Sequence, residues 1–362
     1  MASPILLESP PMPGRFAPLV LLASLVLLAL QVTGAEELQL AEPTEAGATA
    51  PASVQETAPT PTASSTSGAT PGATPGATPG ATPGATPGAV PGASPGASPV
   101  ASSAPSLEIT YLANEGFLLR HGETAVLIDA FVTKPYAGYP AITAEARALL
   151  ESGRPPFDEV DVALASHVHG DHFQPSPARA FLRAVPDAVF ATTPQIVVQT
   201  KEDLAEADEF GDRLRAAFPE PGRWERFTHR GVEVAVMHLS HGTGRHGDIQ
   251  NAGHLIQLGG LTVLHVGDAV TDSENFAPYG LSGVKVDVAL LPFWYWQSRT
   301  GRALIAEHLQ ADVSVACHLP QAGRLGIIEA LADEAPGVIV YDAPGEVRRF
   351  ARDPETGVTS QR

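Results

Sequence analysis

Ser166-His167-Val168-His169-Gly170-Asp171-His172-Phe173 is the stretch on which the reading of this 362-residue chain turns. Residues 160–165, Val-Asp-Val-Ala-Leu-Ala, lead straight into it with the continuous apolar pattern of a buried strand. Four ligand-type side chains therefore fall within six residues at the end of that strand. Imidazole nitrogen and carboxylate oxygen are the donors that a borderline ion such as zinc takes, at ~2.0–2.2 Å. His167 and His169 are two apart and can point the same way, while Asp171 and His172 begin the next element and aim elsewhere. That spacing serves two neighbouring cations, and two ions ~3.5–4 Å apart can share a hydroxide and clamp both the attacking and the leaving oxygen. A solvated His-rich loop would account for one such histidine, but poorly for four ligand-type residues at this position.

Outward from the motif, short apolar runs alternate with turns and a few helical patterns. Strands are predicted over 107–112, 116–120 and 125–129, the last two joined through His121-Gly122-Glu123. Helices are predicted over 143–151, over 176–185 after Pro175, and over about 196–217. Further strands fit 232–237, 253–258, 261–266, 286–290, 313–316 and 338–341. The expected class is α/β: an αββα sandwich of two packed mixed β-sheets with helices on the outside.

Composition divides the chain into three. Residues 107–362 carry all three Trp and are long enough for one sizeable core. Residues 36–106 are Ala, Pro, Thr, Ser and Gly with few large apolar groups, and cannot bury enough surface to offset the entropy of ordering. Within them, five GATP repeats followed by GAVP and two GASP repeats put proline at every fourth position, which predicts an extended, polyproline-like tether. Residues 16–32 are apolar except for Ser24 and Gln31, follow Arg15, and precede Thr33-Gly34-Ala35. Residues 1–35 thus read as an export signal or as an uncleaved membrane anchor. Both readings put the domain outside the cytoplasm, in the periplasm or beyond, with an anchored form held at the inner membrane.

The formal charge is −18; six of the 40 acidic and one of the 22 basic residues precede Leu107, leaving −13 on the domain. Binding to nucleic-acid phosphates relies on Lys and Arg, so DNA and RNA are not expected partners. Cys317 is the only cysteine, which excludes an internal disulfide and a multi-cysteine zinc site. Strand alternation puts it on the opposite face from His318, as a buried apolar residue.

The run His-x-His-x-Asp-His resembles the signature of the metallo-β-lactamase superfamily, and the resemblance extends over 107–362. The chain looks most like the branch of small bacterial hydrolases related to ascorbate-phosphate lactonases and N-acylethanolamine-releasing phospholipase D. Leu-Glu-Ile-Thr-Tyr-Leu-Ala-Asn-Glu-Gly-Phe, from residue 107, opens the domain as in that branch. The resemblance implies a first metal held by His167, His169 and His241, and a second by Asp171, His172 and His318, with Asp268 bridging the two. His238 and His246 flank His241 and remain alternatives for the third ligand. Asp129, at the end of its strand, would accept a proton from a ligand imidazole and fix its orientation. His254, His265 and His308 have no place in this scheme, and His265 is expected to be packed with its ring hydrogen-bonded.

The implied activity is hydrolysis, in which a hydroxide held by two divalent ions attacks carbonyl carbon or phosphorus. Zn(II) is the first expectation, with Mn(II) or Fe(II) as alternatives. Asp171 would be the catalytic group, orienting the hydroxide and moving a proton to the leaving group. Pro292-Phe293-Trp294-Tyr295-Trp296, with Phe131 and Phe173, suggests an aromatic wall or ordinary core packing. The motifs contain no basic cluster for a polyanion, so the expected substrate is a small or lipid-like ester, lactone, amide or phosphodiester. Asp268 stands where β-lactam-cleaving members usually place Cys or His, so antibiotic hydrolysis is not expected. Two other classes share the ligand pattern: a mononuclear-iron persulfide dioxygenase and a non-catalytic metal-binding sensor.

Overall fold

The computed structural model describes residues 104–362 apart from 137, 203, 205–207 and 354. The expectations for segment 1–35 and for the tether up to residue 103 fall outside the described residues. In chain order the first half contains β1 (Ser106–Tyr111), β2 (Phe117–His121), β3 (Thr124–Ile128), α1 (Ala144–Glu151), β4 (Val160–Ala165), α2 (Pro175–Ala184), β5 (Val189–Thr192), α3 (Pro194–Lys201) and β6 (Leu214–Ala216). The second half contains β7 (Trp224–His229), β8 (Val232–Ser240), β9 (Gln250–Leu258), β10 (Leu261–His265), α4 (Ser273–Phe276), β11 (Val286–Pro292), α5 (Trp294–Gln297), α6 (Arg299–Glu307), β12 (Ala311–Cys317), α7 (Arg324–Glu334) and β13 (Ile339–Val340). The chain then returns through β14 (Val347–Asp353) and β15 (Gly357–Gln361) to the first sheet.

The strands form two mixed sheets, ordered β15-β14-β1-β2-β3-β4-β5-β6 and β13-β12-β11-β10-β9-β8-β7. The period-two pattern explains why they pack face to face. Leu107, Ile109, Val126, Ile128, Val162 and Leu164 of one sheet share a core with Val234, Ile256, Val263, Val288 and Val315 of the other. Intervening residues point outward into two further cores. Leu127, Ala163 and Phe190 lie in the same core as Leu150 of α1 and Phe181 and Leu182 of α2. Leu264, Ala289 and Leu291 lie with Leu304 of α6 and Leu331 of α7. Burying each such large side chain contributes roughly 1.5–3 kcal/mol. The expected αββα layering is thus present.

Local signals set the helix starts. The Thr143 hydroxyl accepts the Ala146 N–H at 3.1 Å, capping α1, a contact worth about 1 kcal/mol. Thr193 caps α3, with Pro194 in the first helical turn. The helix expected over 196–217 is a correction: α3 ends at Lys201, and Leu214–Ala216 is the edge strand β6, parallel to β5. Tertiary contacts override propensity here. Leu214 is buried, and the Arg213 guanidinium donates to the Leu182, Val185 and Ala188 carbonyls.

Candidate metal centre

Every candidate ligand follows the C-terminal end of a strand. Asp129 follows β3, His167 follows β4, His241 follows β8, Asp268 lies three residues beyond β10, and His318 follows β12. Strands β3 and β4 run parallel in one sheet, as do β10, β11 and β12 in the other, so their ends deliver loops to the same edge of the sandwich. Asp129 and His318 have φ of +43° and +60°. Such left-handed backbone in a non-glycine residue costs about 1–3 kcal/mol and persists only where the surroundings enforce it.

The ligand atoms form two groups. In the first, His167 Nε2 lies 3.1 Å from His169 Nδ1, and His241 Nε2 lies 3.3 and 3.2 Å from those two atoms. Asp268 Oδ2 closes the group at 3.7 Å from His167 and 3.6 Å from His241. Four donors around one ion with arms of ~2.0–2.1 Å have edges of about 3.3 Å, so this group fits a tetrahedral cation. Three mutually facing imidazole nitrogens cannot satisfy one another by hydrogen bonds alone. Burial holds the imidazoles of His167, His169 and His241 below their usual range, His169 at about 4, so their lone pairs are free at neutral pH.

In the second group, His318 Nε2 lies 3.3 Å from Asp171 Oδ2 and 3.4 Å from Asp268 Oδ1. His172 Nε2 lies 3.3 Å from Asp268 Oδ1 and 3.9 Å from Asp171 Oδ2. His172 Nε2, His318 Nε2 and Asp268 Oδ1 are buried with no hydrogen-bond partner among the described residues. Orphaned buried polar atoms that face one another fit a shared cation. Burial opposes charge on His172 and His318, yet the surrounding carboxylates, Asp268 with Asp129 at His172 and with Asp171 at His318, together outweigh it and raise both, His318 to about 10. Burial likewise opposes charge on Asp268, but His318 and His172 hold its carboxyl well below the usual range. The group thus draws positive charge into its centre, and divalent ions fit both donor sets. Asp268 alone faces both, one oxygen to each.

Behind the ligands, Asp129 Oδ2 accepts the His172 Nδ1–H, and Asp129 also accepts the Ser166 N–H at 2.7 Å and the Ser166 Oγ–H at 2.6 Å. Ser166 Oγ lies 3.0 Å from His167 Nδ1. Asn251 places Asp268: its Oδ1 accepts the Asp268 N–H at 3.2 Å, and its Nδ2 donates to the Val266 carbonyl at 3.0 Å.

Of the flanking histidines, His241 is the one that joins the group. His238 turns to the Pro219 carbonyl at 3.3 Å, and His246 stacks on His241 at 5.1 Å between ring centres. His308 meets Ser273 Oγ at 2.8 Å, and His254 is buried opposite His265. His265 is buried as expected, but its ring makes no hydrogen bond among the described residues; Nε2 lies 3.3 Å from Glu115 Oε2. Cys317 sits in the core between the sheets, and its thiol donates to Glu115 Oε1 at 3.4 Å. Sequence reading missed Ser166, Asn251, Asn114 and Glu115. A polar residue beside a strand-end ligand was the available signal for Ser166; the other three lie far along the chain from the residues they support.

Of the two readings of the aromatic residues, core packing describes most of them. Phe131 and Phe173 are core residues packed with Phe181 and Phe190, and Tyr295 and Trp296 are buried under α6. Trp294 does face the centre, edge-on to His318 at 4.9 Å. Its companions come from the loop before α1: Tyr139 edge-on to His318 at 4.6 Å, and exposed Tyr136 at 6.3 Å from His169.

The family model described as a beta-lactamase superfamily domain matches residues 108–318. A UPF0173 metal-dependent hydrolase of Thermus thermophilus is 28% identical over 194 residues, which is 51% of this chain and 70% of that protein. A UPF0173 metal-dependent hydrolase of Heliobacterium modesticaldum is 29% identical over 196 residues, again 51% and 70%. Among solved structures, Igni18, a metallo hydrolase from the archaeon Ignicoccus hospitalis, is 20% identical, with a TM-score of 0.48 over 68% of this chain and 100% of that one. The matched family span covers more than half the chain and contains both donor groups whole, and the chain belongs to the metallo-β-lactamase superfamily.

Proposed function

We propose that this metal-dependent hydrolase holds two divalent cations, zinc before manganese or iron(II), and cleaves an ester, lactone, amide or lipid phosphodiester of a small or lipid-like substrate. The observation that carries the two-ion reading is Asp268, with Oδ2 toward His167 and His241 and Oδ1 toward His172 and His318. Bound there, such ions supply Lewis acidity, bringing the pKa of water toward about 7 and polarising the oxygen of the scissile group. Asp171 is the proton carrier of the reading. Burial opposes its charge, but the His318 imidazole 3.3 Å away holds its carboxyl below the usual range, so it is ionised and able to accept a proton and return it to a leaving group. Tyr136, Tyr139 and Trp294 support an apolar or aryl substituent beside the reacting bond. Residues 16–32 and the proline-repeat tether support work outside the cytoplasm, released or held at the membrane.

The test is metal analysis of protein produced with zinc, manganese and iron all supplied, followed by an ester, lactone, amide and phosphodiester panel with and without chelator. Two equivalents per chain are expected, and turnover that chelator abolishes. His241→Ala should lose about one equivalent while His238→Ala keeps both, and Asp171→Asn should cut turnover about 10²–10⁴-fold. A single iron per chain with persulfide-dependent oxygen uptake, or Asp171→Asn hydrolysing every substrate as fast as the parent, overturns the proposal.

A further inference from the structure

The turn between β1 and β2, Ala113-Asn114-Glu115-Gly116, contributes no ligand to either donor group, yet it places two buried polar side chains beneath the second. Asn114 Nδ2 donates to Asp171 Oδ2 at 3.2 Å. The Asn114 carbonyl accepts the His318 N–H at 3.2 Å, which helps to hold that residue in its left-handed conformation. Glu115 Oε2 lies 4.0 Å from His172 Nδ1 and 3.3 Å from His265 Nε2, and its Oε1 accepts from the thiol of Cys317, the neighbour of His318. The next residue must be glycine, because a Cβ on Gly116 would lie 2.7 Å from the Asp129 carbonyl oxygen. One four-residue turn therefore reaches Asp171, His172 and His318. Among the hydrogen bonds and ion pairs of the described residues, none links it to His167, His169 or His241.

These side chains are costly where they are. Both are fully buried, and Asn114 Oδ1 and Glu115 Oε2 have no hydrogen-bond partner among the described residues. A buried polar group without a partner destabilises the fold by the whole loss of its hydration, and more when charged. A turn needing only to reverse the chain would be served by exposed polar residues. Nor is the contact with Asp171 incidental: an N–H on a ligating carboxylate oxygen fixes its rotamer and leaves its charge in place for a cation.

We propose that Asn114 and Glu115 are positioning residues for the second cation, holding Asp171, His172 and His318 as one unit that is separable from the first group. The proposal rests on the two-ion reading. The test is a stepwise titration of metal-free full-length protein with zinc against a chromophoric competitor, repeated with cobalt(II) to follow each site's visible spectrum. Asn114→Ala and Glu115→Gln should weaken the second equivalent about 10–100-fold and alter its cobalt spectrum, while the first equivalent stays within about threefold. Asn114→Ser, which keeps a polar side chain in the turn but cannot reach Asp171, should behave like Asn114→Ala and serves if that variant fails to fold. A parent protein that takes only one equivalent overturns both the two-ion reading and this assignment. A parent that takes two, with variants that lose neither or weaken both equally, overturns the assignment alone.

Discussion

Asp129 Oδ2 accepts the Nδ1–H of His172 at 2.8 Å, with both side chains fully buried. Because a carboxylate can only accept, this contact places a proton on Nδ1 of His172 and leaves Nε2, which faces Asp171 and Asp268, as the atom to meet a cation. The same carboxylate takes the Ser166 hydroxyl proton, so Ser166 Oγ is free to accept Nδ1–H of His167. One aspartate thereby sets an imidazole in each donor group. Burial opposes its charge, but His172 holds its carboxyl below the usual range.

Asp129→Asn should uncouple that arrangement without disturbing the backbone, since asparagine tolerates the positive φ found there. An amide N–H facing His172 Nδ1 forces the proton onto Nε2, the atom that must ligate. Metal affinity is expected to fall about 10–100-fold with the fold intact. Competition titration alongside circular dichroism checks this, and an affinity within twofold of the parent would sink it.

Much of this was legible in the sequence, for identifiable reasons. The run into Ser166 carries strand, loop and four ligands in one uninterrupted pattern, so His167, His169, Asp171 and His172 needed no tertiary information. Asp268 and His318 entered through the family resemblance, each following an apolar strand as that pattern requires. His241 was readable as the third histidine because it falls at the loop after its strand, but its flanking His238, on β8, and His246, further along the loop, stayed open as alternatives without tertiary information. Asn114 and Glu115 were invisible because their roles exist only where strands distant in sequence end side by side, and Asn251 because it meets Asp268 only when the β9–β10 hairpin is closed. The helix expected over 196–217 failed because the open edge of β5 recruits Leu214–Ala216.

His254 gives the fold a dependence on pH separate from the metal ligands. It is buried on β9 opposite His265, and burial, with the charge of His265 adding, pushes its imidazole down to about 3. In the unfolded chain the same group titrates near ~6.5. Between those values the unfolded state binds a proton that the folded state refuses, so stability falls as pH drops through the unfolded pKa and goes on falling toward the folded one. The contribution approaches about 1.4 kcal/mol per pH unit. Urea unfolding of the metal-free protein from about pH 7 to about pH 5 should show His254→Gln with a slope shallower by about one proton. Parallel slopes for parent and variant would rule this out.

Gly267 carries the most demanding backbone position at the centre. Its φ is +55°, and a Cβ there would lie 2.7 Å from Ser166 Cβ and closer still to Asn251 Oδ1. Those are the two residues that place His167 and Asp268, so an added methyl group is resisted from both sides of the metal edge. Gly280 supplies the comparison: its φ is +61°, but a Cβ there would meet no heavy atom within 4 Å. Gly280→Ala should cost only the left-handed penalty of about 1–2 kcal/mol and leave metal binding unchanged. Gly267→Ala should cost about 2–4 kcal/mol, because Ser166 or Asn251 must move as well. It should also weaken both equivalents of metal together, since Asp268 faces both donor groups. Chemical unfolding of the two metal-free variants, followed by zinc titration, separates backbone strain from displacement. Equal losses of stability in the two, with metal binding intact in Gly267→Ala, would show that the centre does not depend on this close approach.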